Sequence, residues 1–140
     1  MALLGSLADT QNLAQTLVQR APPGTLLLLV GPLGAGKTAL VQALGRTLGS
    51  GAHVSSPTYT LIHEYPTPEG VLVHIDAYRL GDAEALFELG LEDYLERARL
   101  IAVEWGEGLL KAFPDALVVR LSLEGEVRRA VVTQGDTHLF

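Results

Sequence analysis

Cysteine is absent from this chain of 140 residues, which excludes disulfide bridges and thiolate metal sites. The four histidines, at positions 53, 63, 74 and 138, lack the spacing of metal ligands. The longest apolar run, residues 26–30, is far shorter than the ~20 residues of a membrane-spanning helix. Residues 1–11 also lack the basic and apolar segments of a secretion signal. We therefore expect a cytoplasmic protein without membrane contact.

Basic residues are also few, since 10 Lys and Arg face 16 Asp and Glu, for a net charge of −6. Arg128 and Arg129 form the only adjacent basic pair in the sequence. A broad contact with a nucleic-acid backbone is therefore not expected, and any nucleic acid would be held by another subunit. The length and the 48% hydrophobic content predict one domain that spans residues 1–140.

The apolar pattern predicts alternating helices and strands. Residues 7–20 have helical spacing and end at two prolines and a glycine, whereas residues 25–30 form the continuous apolar run of a strand covered on both faces. A helix is predicted at 38–48, with shorter ones at 82–89, 91–97 and 107–113, and further strands at 59–65, 71–76, 100–104, 117–123 and 127–133. The pattern predicts an α/β fold with a mainly parallel sheet flanked by helices, antiparallel edge strands and a C-terminal β-hairpin.

Residues 31–38, with the sequence GPLGAGKT, join the first long strand to the following helix. Glycines let the backbone curl so that successive N–H groups face a phosphate, and the helix N-terminus favours the same anion. Lys37 supplies a positive charge for the β- and γ-phosphates, and the Thr38 hydroxyl is a ligand for Mg²⁺. This segment predicts a P-loop NTPase that binds a magnesium nucleotide.

Two predicted strands end in a carboxylate, at Asp76 and at Glu104. A nucleotide hydrolase needs one acid near the metal and a group that positions the attacking water, and the ends of buried strands beside the phosphate loop suit both roles. The residues alone leave open which carboxylate takes which role. Each one could instead cap a helix or lie on the surface.

Three further features accompany these carboxylates. Residues 55–60, which include Thr58, form either a switch segment over the γ-phosphate or an ordinary turn. His74 alternates with Asp76 on one strand face, so it either orients a carboxylate or is a hydrogen-bonded core histidine. Trp105 is expected to point to the face opposite Glu104 and to pack there.

Four functional classes are compatible with a phosphate loop. An ATPase that drives a partner complex is favoured over a small-molecule kinase because the sequence has no Arg-rich lid segment. A GTPase is disfavoured because neither Asn-Lys-x-Asp nor Asp-x-x-Gly occurs. A nucleotide-gated binding module, in which hydrolysis is incidental, stays open.

Several sequence blocks together resemble the TsaE (YjeE) family, the ATPases of bacterial tRNA threonylcarbamoyladenosine synthesis. The first block, residues 33–38, is common to many phosphate loops, but the order and spacing of the others are specific to this family. They are SPTYTL at 56–61, HIDAYRL at 74–80, ELGLEDY at 88–94 and VEW at 103–105.

This resemblance implies a P-loop domain that binds ATP and Mg²⁺ and docks onto a TsaB–TsaD heterodimer, with tRNA reached only through that complex. ATP hydrolysis would then support repeated modification of the adenosine beside the anticodon. The family pattern implies magnesium on Thr38 and Glu104, and hydrolytic or switch roles for Asp76, Thr58 and Lys37. It places the nucleotide on Gly34, Ala35, Gly36, Lys37, Thr38 and Ala39, with Leu7, Thr10 and Arg128 nearby.

Overall fold

The computed structural model of the chain describes residues 2–32, 34–51, 62–77 and 83–140. Its helices and strands alternate through the first half, and a hairpin follows near the end. In chain order they are β1 (Ala2–Leu3), α1 (Leu7–Arg20), β2 (Thr25–Val30), α2 (Lys37–Leu48), β3 (Ile62–Thr67), β4 (Gly70–Asp76), α3 (Ala83–Glu88), α4 (Leu91–Arg97), β5 (Ala98–Glu104), a 3₁₀ helix (Gly106–Leu109), β6 (Leu117–Glu124), β7 (Val127–Gln134) and β8 (Thr137–His138).

One eight-stranded sheet organises the described residues, in the order β1-β7-β6-β2-β5-β4-β3, with β8 beside β7. The central strands β6, β2, β5 and β4 are parallel, whereas β3, β7, β1 and β8 pair antiparallel at the two edges. The predicted P-loop α/β fold, with antiparallel edges and a hairpin at β6 and β7, is confirmed. The carboxyl ends of the parallel strands therefore meet at one end of the sheet.

Both faces of the sheet are covered, which explains why its central strands are apolar throughout. In β2, the side chains of Leu27 and Leu29 pack with α1 and α2, whereas Leu26 and Leu28 pack with α3, α4 and the 3₁₀ helix. All seven residues of β5 are buried. This packing fixes the height at which each central strand ends.

Local signals set the bounds of the two long helices. The Ser6 side chain accepts from the Asp9 backbone N–H at 3.2 Å and so caps α1. Helix α2 ends at Leu48 and is followed by the C-cap Gly49, whose φ of 82° suits glycine. The predicted bounds of α1, β2 and α4 match the observed ones.

Most other bounds shift by one or two residues, as in β5, which begins at Ala98 instead of residue 100, and two predicted elements differ more. The helix predicted at 107–113 is a 3₁₀ turn over Gly106–Leu109, because Gly106 and Gly108 weaken a longer helix. Strand β3 continues through Pro66, which an edge strand tolerates because its proline needs no hydrogen-bonded neighbour on that side. The predicted strand residues 59–61 and the predicted helix start at 82 lie outside the described residues.

Candidate active site

The phosphate loop leads from β2 into α2 at the carboxyl end of the sheet. Gly34 and Gly36 have φ angles of 82° and 104°, which other residues rarely adopt. Gly36 caps α2 without a side-chain hydrogen bond, and the first turn of α2 carries no acidic residue. A Cβ on Gly31 would clash with the backbone carbonyl of Leu121 in β6. The N–H groups at the start of α2 are thus presented to an anion rather than covered by a side-chain cap.

Lys37, the first residue of α2, is 5% exposed and turns back over its own loop. Its Nζ donates to the backbone carbonyls of Gly31 at 2.5 Å and Pro32 at 2.9 Å. The same ammonium lies 3.8 Å from the centre of the Trp105 ring, which is a cation–π contact. The ammonium is therefore held by neutral groups that line the phosphate loop.

Burial lowers the pKa of Lys37 from its usual 10.5, because an ammonium loses hydration there. The negative charges of Glu104, Glu107 and Asp76 oppose that effect and raise the pKa. Three carboxylates from β5, the 3₁₀ helix and β4 are thus close enough to act on the phosphate-loop lysine. Glu107 was not among the residues predicted from the sequence.

Thr38 and Glu104 meet although 66 positions separate them in the chain. Thr38 Oγ1 lies 3.1 Å from both carboxylate oxygens of Glu104, and the hydroxyl donates to them. Glu104 is the last residue of β5, next to β2 in the sheet, and it is 6% exposed. The two residues predicted as magnesium ligands are therefore brought together at one point.

His74 touches the same carboxylate from β4. Its Nε2 lies 2.5 Å from Glu104 Oε2, and its side chain is fully buried. His74 thus has features of both alternatives left open by the sequence, since it is a buried, hydrogen-bonded histidine and its partner is a carboxylate. The carboxylate is Glu104 on the neighbouring strand and not Asp76 on its own strand.

Asp76 ends β4 at the same level as Glu104, which is its register partner. The backbone N–H of Ala77 donates to the Glu104 carbonyl at 3.0 Å, so the ends of the two strands are tied together. Asp76 is half-buried, and its charge acts on Lys37. Its predicted part in hydrolysis remains a prediction.

The donors at this point fit Mg²⁺. Magnesium prefers hard oxygen ligands, keeps several waters and takes only one or two carboxylates with substrate phosphates. Thr38 and Glu104 supply one hydroxyl and one carboxylate beside an anion-binding helix end. Within the described ranges, no group of three or more His, Asp or Glu side chains forms a metal cage. The residues thus suit a metal that arrives with a nucleotide.

Arg128 reaches the phosphate loop from β7. A Cβ on Gly36 would lie 3.6 Å from Arg128 Cδ and 3.8 Å from Nη1. The half-exposed side chain of Leu123 is the register partner of Arg128 on β6. The structure thus brings Arg128 beside the phosphate loop, and its predicted contact with the nucleotide remains a prediction.

Leu7 and Thr10 lie on the first turns of α1. Leu7 is 75% exposed, whereas Thr10 is buried and its hydroxyl donates to the Ser6 carbonyl at 3.4 Å. Neither side chain has a hydrogen bond to the phosphate loop in the described part of the chain, so their predicted contacts with the nucleotide remain predictions. Thr58 and the proposed switch segment lie outside the described residues.

Trp105 differs from its sequence prediction. It follows β5 with φ of 60° and ψ of 43°, and its backbone N–H donates to the Leu29 carbonyl at 3.0 Å. This left-handed conformation ends the alternation of the strand, so the ring lies over Lys37 rather than packing on the opposite face. The prediction from strand periodicity was wrong because the strand ends at Glu104 and Trp105 follows it in a left-handed conformation.

Comparisons with known proteins give one consistent result. The model of the family "Threonylcarbamoyl adenosine biosynthesis protein TsaE" matches residues 4–131. The tRNA threonylcarbamoyladenosine biosynthesis protein TsaE of Synechocystis sp. is 44% identical over 76% of this chain and 69% of its own. The protein of the same name from Rickettsia prowazekii is 37% identical over 100% of this chain and 98% of its own.

A solved structure is also similar to this fold. The crystal structure of Bacillus subtilis YdiB superposes with a TM-score of 0.73 at 27% identity, over 95% of this chain and 83% of that one. Among the described residues, no helix is both long and apolar enough to cross a membrane.

Proposed function

Because this chain belongs to the TsaE family of tRNA threonylcarbamoyladenosine biosynthesis, we propose that it is the ATP-hydrolysing subunit of that pathway. It acts with a TsaB–TsaD complex that holds the tRNA, and it meets tRNA only through that complex. The net charge of −6 supports this division of labour, since an acidic chain is a poor phosphate-backbone binder. Residues 1–140 work as one P-loop domain in the cytoplasm, where tRNA is modified.

The nucleotide phosphates bind the backbone from Gly34 to Ala39. The uncapped start of α2 supplies N–H donors, and Lys37 exchanges its two carbonyl partners for β- and γ-phosphate oxygens. Arg128, which lies beside Gly36, adds a second positive charge from β7. Leu7 and Thr10 lie near the nucleoside part.

Hydrolysis depends on the carboxylates that end β4 and β5. Thr38 and Glu104 would hold Mg²⁺, which would supply positive charge to stabilise the transferred phosphoryl group. Asp76, at the same level as Glu104, orients the attacking water, and Thr58 takes a switch role beside the γ-phosphate. Slow turnover by the protein alone is expected if the partner complex completes the site.

The contact between Thr38 and Glu104 carries this proposal. A glycine-rich turn that bound no nucleotide would not require a buried carboxylate from another strand beside the Thr38 hydroxyl at the start of α2. The contact spans 66 positions and lies where a nucleotide-bound magnesium ion would be held. It supports a hydrolase over a binding loop without metal.

The decisive experiment is a reconstituted tRNA modification assay under multiple-turnover conditions. Purified TsaB and TsaD are combined with wild type, with Lys37→Ala or with Glu104→Gln, and both ATP hydrolysis and modified tRNA are measured. We expect wild type to sustain modification and both variants to stop after about one round. Sustained modification by either variant would show that hydrolysis is not required.

The same assay separates the alternative functions. Turnover of ATP without any acceptor, stimulated by TsaB–TsaD, supports an ATPase, whereas faster transfer of phosphate to a metabolite would reveal a kinase. A nucleotide-gated binding module predicts that Asp76→Ala abolishes hydrolysis but leaves tRNA modification intact. Competition between ATP and GTP tests the choice of base.

A further inference from the structure

His74 lies at the back of the proposed magnesium site. It sits on β4 directly opposite Ala102 of β5, and Glu104 is two residues further along that strand on the same face. The small side chain of Ala102 leaves room for the imidazole to reach diagonally to Glu104. His74 therefore approaches the carboxylate from the protein interior, whereas Thr38 approaches it from the phosphate loop.

The two oxygens of the Glu104 carboxylate have different surroundings. Oε2 is in contact with both His74 Nε2 and Thr38 Oγ1, whereas Oε1 has only Thr38 among the described residues. A carboxylate accepts hydrogen bonds, so the proton of the short contact belongs to His74 Nε2. Because His74 holds Oε2 from the protein interior, Oε1 is the carboxylate oxygen left to face a cation.

The other ring nitrogen argues against a purely structural histidine. His74 Nδ1 is buried and has no hydrogen-bond partner in the described part of the chain. A buried polar atom without a partner costs free energy, so a histidine that served packing alone would be a poor choice at this position. What His74 contributes, within these residues, is one donor aimed at Glu104.

We infer that His74 is a positioning residue that fixes the Glu104 carboxylate so that Oε1 is presented to the nucleotide-bound magnesium ion. This inference rests on the proposed function, because it assigns His74 to the Thr38–Glu104 metal site. It makes His74 important for metal affinity and not for nucleotide affinity as such. Outer groups that orient metal ligands typically change affinity by about 10- to 100-fold.

The test compares variants of the full chain that differ in the donor. His74→Leu fills the space without a donor, whereas His74→Gln carries an N–H group that can reach Glu104. His63→Leu is the matched control, because His63 is the register partner of His74 on β3 and contacts Tyr65 instead. ADP affinity is measured in Mg²⁺ and in EDTA, and Mn²⁺ affinity of the ADP complex by electron paramagnetic resonance.

We expect His74→Leu to weaken Mn²⁺ binding about 10- to 100-fold and to lose most of the gain in ADP affinity that Mg²⁺ gives, with ADP affinity in EDTA unchanged. His74→Gln should recover most of that loss, and His63→Leu should behave as wild type. If His74→Leu does not fold, His74→Asn replaces it, since its shorter amide cannot reach Glu104.

Two results would overturn the inference alone. One is an unchanged Mn²⁺ affinity in the variant without a donor. The other is an equal loss of ADP affinity with and without Mg²⁺, which would assign His74 to fold stability. If wild type itself binds ADP equally in Mg²⁺ and in EDTA, the proposed magnesium site fails, and the inference fails with it.

Discussion

Two buried cations lie at opposite ends of the parallel sheet, and both donate to backbone carbonyls. Lys37, 5% exposed at the carboxyl end, donates to Gly31 and Pro32. Arg99, 8% exposed near the amino end of β5, donates to Ala21 at 2.7 Å and Val18 at 3.4 Å. Burial and partner type are thus nearly the same, yet the surroundings differ.

The difference lies in what surrounds each pair of carbonyls. Arg99 binds the last carbonyls of α1, where the helix dipole is negative and a cation is favoured. Lys37 binds loop carbonyls next to the positive start of α2, and its counter-charges Glu104, Glu107 and Asp76 come from other elements. The contacts of Arg99 therefore belong to the fold, whereas those of Lys37 are the ones we propose to be exchanged for phosphate.

The largest expected effect is on nucleotide turnover in Lys37→Met. Methionine keeps an unbranched side chain of similar length but removes the ammonium that would stabilise the transferring phosphate. Loss of such a group costs ~1000-fold in hydrolysis rate. ATP hydrolysis in the presence of TsaB–TsaD measures it, and urea unfolding should show a stable protein.

The control is Lys111→Met, which removes the exposed lysine, the other lysine in the sequence. It should hydrolyse ATP at the wild-type rate. Equal losses in both variants would mean that total charge, and not the position of Lys37, governs turnover, and the contrast between the two ends of the sheet would lose its basis.

The next effect belongs to the other cation. Arg99→Met leaves the carbonyls at the end of α1 without their charged donor, which should lower the free energy of unfolding by about 2 kcal/mol, or ~30-fold in the unfolding equilibrium. Urea denaturation measures this loss. Nucleotide affinity of the folded protein should not change, because Arg99 is at the far end of the sheet.

Arg97→Met is the matched control for that stability loss. Arg97 lies two residues earlier, its side chain is 45% exposed, and it pairs with Asp93 and Glu64 on the surface. Exposed pairs of this kind contribute little to stability, so Arg97→Met should leave the free energy of unfolding nearly unchanged. A similar loss in both variants would contradict a special role for the buried guanidinium.

Sequence patterns predict the residues at the carboxyl end of the sheet, but not the contacts of Arg99 near the amino end. The phosphate loop and the carboxylates Asp76 and Glu104 follow from local patterns, since a glycine-rich turn and strand-terminal acids are visible in the sequence. The contact of Arg99 with α1 is not visible, because 78 positions separate it from Ala21. Pairing of distant residues depends on strand order, which periodicity does not specify.

The same limit explains what was missed inside the site. Strand alternation predicts that His74 shares a face with Asp76. Its contact with Glu104 depends on the pairing of β4 with β5, which the sequence pattern does not specify. The ring of Trp105 could not be placed, because one left-handed residue cancels the strand alternation. Sequence periodicity therefore does not predict where a side chain points once a strand has ended.

A smaller effect is expected for Arg128→Ala, which tests whether Arg128 contributes to nucleotide binding at the carboxyl end of the sheet. Its exposed guanidinium lies beside Gly36, so its loss should weaken ATP binding only ~5-fold, as for a partly hydrated charge. Arg129→Ala is the neighbouring control, since Arg129 pairs with Glu124. Isothermal titration with ATP compares them, and a larger loss in Arg129→Ala would place the nucleotide on the other face of β7.

The smallest effect concerns the pH dependence of stability, and its sign follows from the lowered pKa of Lys37. Between that pKa and 10.5 the unfolded chain holds more protons than the folded one, so wild-type stability rises with pH relative to Lys37→Met. Any stability advantage of the methionine variant at pH 7 should therefore shrink toward pH 10. Urea midpoints of both proteins, with Lys111→Met as reference, measure it. An advantage that stays constant or grows would mean that the carboxylate neighbours of Lys37, and not desolvation, dominate its pKa.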